Sequence, residues 1–194
     1  MTELTPALVL SLTAGAIATT AFIAYNLRGG NINTGTWFIL FIGDGLDLWS
    51  YAEMTDQDLA KNIVPGVFAL GSVVTFMVAF FRKRFEWPDA GDWFFVLLDS
   101  IITVLWRALG ISDTAANLLY QGTTILAFIP MCRGLLTGRE REHFFPWLLW
   151  TFACFLFVIS TSLELTRPEE MVYPIVTLIV HGLVCLIILM KDNR

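Results

Sequence analysis

The sequence predicts an all-α membrane protein of seven transmembrane helices. Three observations predict it: an apolar excess, seven apolar runs of spanning length, and basic charge that alternates between their ends. Of 194 residues, 56% are hydrophobic and only 15% charged, against about 25% charged in an ordinary soluble domain. A helix needs roughly 20 apolar residues to cross a hydrocarbon core. Seven helices therefore take up about 140 residues and leave only short loops, with no room for a sizeable soluble domain.

The runs fall at residues 6–27, 36–53, 63–81, 92–109, 114–136, 146–164 and 171–190. Unpaired backbone groups are not tolerated in lipid, so each run is expected to be helical. The first run follows Thr2 and Glu3 rather than a basic n-region, and is expected to be a retained helix, not a cleaved signal. One set of ends carries Arg28, Arg82, Lys83, Arg84, Arg133, Arg139, Arg141, Lys191 and Arg194; the opposite set carries only Lys61, Arg107 and Arg167. Nine against three accounts for all 12 basic residues, and such alternation requires an odd number of spans. Positive charge marks the cytoplasmic side, which places the N-terminus outside and the C-terminus inside a bacterial-type inner or plasma membrane. The net charge of −5 and the lack of an extended basic surface argue against a nucleic-acid partner. Cys132, Cys154 and Cys185 are odd in number, far apart and set in apolar runs, so they are expected to be core residues.

The chain also shows signs of an internal repeat. A shift of 110 residues lays Thr36-Trp37 on Pro146-Trp147, Ser50 on Ser160 and Ser11 on Gln121. A shift of 109 lays Pro65 on Pro174, Ser72 on His181 and Arg82 on Lys191. Helices 1–3 thus read as a diverged copy of helices 5–7, with helix 4 restoring the parallel orientation in a 3+1+3 plan. The corresponding segments are a first three-helix bundle at 1–84, a linker helix at 85–112 and a second bundle at 113–194. The bland alternative is that any two membrane hairpins share this much.

That plan resembles the SWEET and PQ-loop transporter superfamily, whose parallel three-helix repeats flank an extra helix. The closest local similarity runs from Tyr120-Gln121 through Pro130 and into Pro146-Trp147-Leu148-Leu149-Trp150. No Pro-Gln dipeptide occurs, and Thr20 stands in helix 1 where Pro130 stands in helix 5. The chain is similar also to the related vitamin-precursor carriers of the nicotinamide-riboside type, which carry a Trp-x-x-Trp followed by a polar residue. Trp147 and Trp150 match in the second half, with Cys154 at the polar position; Trp37 and Asp44 match in the first, with Leu40 for the second Trp. The resemblance implies a transporter of a small polar solute (sugar-, amino-acid- or vitamin-precursor-like) working by alternating access. The alternative is a non-transporting scaffold or sensor subunit.

Ionisable groups at a helix centre cost at least about 2.5–3.5 kcal/mol and face the protein interior. Trp37, Leu40, Asp44, Asp47 and Tyr51 share one face of helix 2. Asp44 and Asp47, one turn apart, are candidates to bind solute, and Asp44 to couple a proton or cation; a hydrogen-bonded structural pair is the alternative. Asp99, two turns into helix 4 below Asp92, is a second coupling candidate, or else fixes helix 4 to the first bundle. Asn117, Gln121 and Thr124 share a face of helix 5 and suit either a polar solute or helix joining. His181 in helix 7, with Thr177 before it, is a proton-relay candidate or a packing residue. Trp150 is placed to stack on a flat substrate, while Trp147 fits interfacial anchoring as well. Pro130 and Pro174 are hinge candidates. The run from Arg139 to His143 reads as a solvated loop. No enzyme motif, metal cluster or cofactor signature is present, and no Lys in helix 7 offers a Schiff base. The expected partners are a small solute and the lipid bilayer, with homo-oligomerisation open.

Overall fold

The computed structural model describes residues 4–28, 34–82, 90–138 and 141–192. Among them lie seven α-helices and no strand: α1 (Pro6–Arg28), α2 (Thr34–Met54), α3 (Leu59–Phe81), α4 (Ala90–Arg107), α5 (Asp113–Thr137), α6 (Phe144–Leu163) and α7 (Val172–Asp192), with a short 3-10 turn at Pro168–Met171 leading into α7. Each helix coincides with one apolar run of the sequence. The largest offset is the start of α3, at residue 59 instead of 63. Lys83, Arg84, Arg139, Arg194 and the expected boundary at 84–85 lie outside the described residues, as do the side chains of Asp92 and Pro130.

Four segments are long and apolar enough to cross a membrane: Pro6–Arg28, Leu59–Phe81, Phe144–Leu163 and Pro168–Lys191. That fits a membrane protein. The outer faces carry large apolar side chains such as Leu70, Phe81, Leu97 and Ile179, whereas Ser11, Ser72, Thr75, Asn117 and Thr161 are completely buried. Apolar outside and polar inside is the distribution that a hydrocarbon solvent selects.

Local chemistry sets the helix ends. Thr5 Oγ1 accepts from Leu8 N at 3.1 Å, with Pro6 at the first helical position of α1. Asp58 caps α3 by accepting from Ala60 N, and Ser112 caps α5 by accepting from Ala115 N. Gly138 closes α5 in the left-handed region, φ 79°. Pro174 cannot donate to the carbonyl of Glu170 four residues back, and the Tyr51 hydroxyl donates to that carbonyl instead at 3.0 Å.

The packing is reciprocal. α3 lies against both α1 and α2, and α7 against both α5 and α6; α1 packs on α6, α2 packs on α5, and α4 covers α2 and α5. The buried face of α1 is built from Ala14, Ala18 and Ala21, small residues that let neighbouring backbones approach. Gly71 of α3 is needed for the same reason. A Cβ there would lie 2.3 Å from the Phe22 ring.

Candidate functional site

The inner faces of the helices enclose a central cavity. Asp44 and Asp47 reach it from α2 with Trp37 and Leu40; Phe22 comes from α1 and Phe68 from α3. Thr124 and Phe128 complete the α5 wall, Trp147 and Trp150 the α6 wall, and Tyr173, Thr177 and His181 the α7 wall. The space among these residues is narrow: ≈ 20 Å³ of it admits the centre of a water molecule. That is room for about one water. The site is narrow in this conformation.

The rings form a continuous cage. Trp150 lies with its centroid 4.9 Å from Phe22, 5.4 Å from Tyr25, 6.2 Å from Trp37 and 5.0 Å from Trp147. His181 sits among Phe68, Trp147 and Phe128 at 5.1, 5.5 and 5.6 Å. Its Nδ1 is 2.8 Å from the Thr177 carbonyl. A carbonyl only accepts, so Nδ1 carries a hydrogen and Nε2 is the remaining basic atom.

The polar wall is assembled from α2 and α5. Gln121 Nε2 donates to Asp47 Oδ1 at 2.9 Å, and Thr124 Oγ1 donates to Asp47 Oδ2 at 3.0 Å. One turn away, Asn117 Nδ2 donates to Ser50 Oγ at 3.1 Å. Asp47 is therefore held on both oxygens, while Ser72 of α3 approaches the Asp44 carboxyl. Asp99 of α4 faces Asp44 across a smaller space lined also by Gly43, Thr123 and Thr124. Its Oδ1 is buried without a hydrogen-bond partner among the described residues. Among the described residues no Lys or Arg lines either space, and no group of three His, Cys, Asp or Glu is placed to hold a metal ion.

Of the residues singled out in the sequence, Asp44, Asp47, Trp150 and His181 line the cavity. Asp99 stands beside it. Asn117 and Gln121 do not line it; their amides join α5 to α2 behind the cavity wall. α5 runs through position 130, and Pro174 lies in the first turn of α7.

Two polar closures flank the cavity. At the Arg28 end, Glu142 accepts from Tyr25 Oη and Trp147 Nε1, each at 3.1 Å, and Trp37 Nε1 donates to Tyr25 Oη at 3.2 Å. At the opposite end, Lys61 Nζ lies 2.7 Å from Glu170 Oε2, with the two side chains 3% and 1% exposed. Thr166 also donates to Glu170, and Arg167 pairs with it at 3.5 Å while donating to the Met54 carbonyl. Neither closure was foreseen from the sequence. Glu142 was read as part of a solvated charge run, and Lys61 and Arg167 served only as markers of the loop charge.

Comparison with family models, curated proteins and solved structures finds no match for this chain.

Proposed function

We propose that the protein is a carrier of a small polar solute working by alternating access, with the central cavity as its binding site. The observation that carries this reading is a carboxylate-bearing central cavity flanked by different polar clusters at its two ends. A carrier needs a site between two regions that can open in turn, and this arrangement fits one. The reciprocal packing, α1 on α6 and α2 on α5, supports two three-helix repeats joined through α4, and with them a 3+1+3 plan of seven spans. Rocking of one repeat against the other would open the Lys61–Glu170 closure and the Glu142 closure in turn. Asp44 and Asp47 would bind the solute or a coupling ion, Trp150 would pack on the solute, and Asp99 and His181 would take part in coupling. Pro174 would allow rocking where its missing N–H weakens the start of α7, and Pro130 would do so within α5.

Uptake into proteoliposomes tests this reading. The wild type is expected to accumulate at least one member of a panel of sugars, amino acids, amines and vitamin precursors, and Asp44→Asn is expected to abolish that uptake while the fold is retained. Equal uptake by both proteins would refute the assignment of the site.

A second reading has a specific observation in its favour. Asn117 and Gln121 join α2 to α5, as they would in a non-transporting scaffold or sensor subunit. Efficient disulfide trapping between engineered cysteines on α2 of neighbouring chains, together with no uptake of any panel member, would favour it.

A further inference from the structure

Three features of the central cavity bear on what it binds. Two carboxylates, Asp44 and Asp47, reach it, and no described Lys or Arg lines it. The rest of the wall is mainly aromatic, with Phe22, Trp37, Trp147 and Trp150 ring against ring. Trp150 is 1% exposed, yet its Nε1 hydrogen finds no acceptor among the described residues.

Each feature constrains the occupant. Carboxylates wholly or partly withdrawn from water, Asp47 at 1% exposed and Asp44 half-buried, call for a positive charge or strong donors. Aromatic faces attract cations, and most of all cations that carry little hydration, such as ammonium groups. A divalent ion calls for several carboxylate or other oxygen ligands, and no described group of three His, Cys, Asp or Glu is placed to hold one. A sugar would leave both carboxylates without a countercharge. The orphan donor adds a further requirement. A buried N–H left unpaired is costly, so the ligand should present an acceptor to Trp150 while its cationic end faces Asp44.

We propose that the central cavity binds a short alkylammonium ion that also carries an oxygen acceptor, its ammonium group at Asp44 and Asp47 and its oxygen at Trp150 Nε1. The proposal rests on the carrier reading only in taking this cavity as the binding site. Such a ligand exceeds the room for about one water present in this conformation, so the rings must part to admit it.

Four isosteric or competing probes isolate the terms. Protonated ethanolamine has both features, propylammonium lacks the acceptor, ethylene glycol lacks the charge, and potassium ion has charge alone. Binding is read by titration calorimetry on protein in nanodiscs of phosphatidylglycerol, so that no headgroup amine competes. Ethanolamine should bind saturably, propylammonium more weakly, and ethylene glycol and potassium not measurably. Asp44→Asn should weaken ethanolamine binding about tenfold or more. Trp150→Phe keeps a ring but loses the donor, and should bind ethanolamine and propylammonium equally. Circular dichroism confirms that each variant is folded, and Asp44→Glu should restore binding in part.

The proposal is overturned if ethylene glycol binds as well as ethanolamine, if potassium competes as well as ethanolamine does, or if Asp44→Asn binds unchanged. Absence of any saturable ethanolamine binding to the wild type overturns it too. Ethanolamine binding without uptake would defeat the carrier reading and leave the ligand assignment standing. Uptake of a neutral solute without amine binding would do the reverse.

Discussion

Removing Lys61 should destabilise the protein through the charge it leaves behind. Lys61 and Glu170 are almost completely buried, and their ion pair closes at 2.7 Å. Deleting one partner of a buried pair costs about 3–5 kcal/mol, because the other charge stays desolvated and uncompensated. Glu170 keeps the Thr166 hydroxyl and amide and Arg167 at 3.5 Å, which places Lys61→Met at the lower end, about 3 kcal/mol. For a chain of this length that corresponds to a loss of about 6–12 °C in Tm. Neutralising the stranded charge as well, in Lys61→Met/Glu170→Gln, should recover at least half of the loss. Thermal unfolding in detergent micelles, followed by circular dichroism at 222 nm, measures both variants. A single variant within about 1 kcal/mol of wild type would refute the reasoning, as would a double variant less stable than the single one.

Three further outcomes are expected. Gly71→Ala places a Cβ 2.3 Å from the Phe22 ring, so the ring must shift toward the cavity at a cost of about 1–3 kcal/mol; Phe22→Leu in the same chain should relieve it, as thermal unfolding can show. Glu142→Ala leaves the Tyr25 hydroxyl and the Trp147 N–H without this acceptor, which should cost about 1–3 kcal/mol and change the near-ultraviolet circular dichroism of the aromatic cage. Asn117→Ala removes only the bond to Ser50; it should lower stability by about 1 kcal/mol and leave ligand binding and uptake unaltered, whereas a large loss of binding in a folded variant would place Asn117 in the solute path.

The helices were legible because each apolar run is bounded by polar or basic residues, and spanning helices have a narrow range of lengths. The partnership of α2 and α5 was half legible. Regular spacing put Asp47 on one face and Gln121 and Thr124 on another, but nothing local says whether an amide faces a cavity or the neighbouring helix. A small rotation about the α5 axis separates the two, and Gln121 and Asn117 fall on the packing side while Thr124 reaches the cavity. Phe22 and Phe68 could not be picked out, because in a run that is apolar all round an inward ring has the same sequence signature as a lipid-facing one. The pairing of Lys61 with Glu170 spans 109 residues, and only the tertiary fold brings them together. Glu142 was misread because a charge run is ordinarily solvated, and here the start of α6 turns one member toward Tyr25 and Trp147.

Access to the cavity from each side of the membrane tests the central claim most directly. Leu40 lines the cavity, so Leu40→Cys in a background with Cys132, Cys154 and Cys185 replaced by alanine offers a single thiol at the site. A membrane-impermeant thiol reagent is applied to oriented vesicles, first from one face and then, in a separate sample, from the other. Alternating access predicts modification from both faces, each slowed by a bound ligand. Modification from one face only, or from neither, would contradict it.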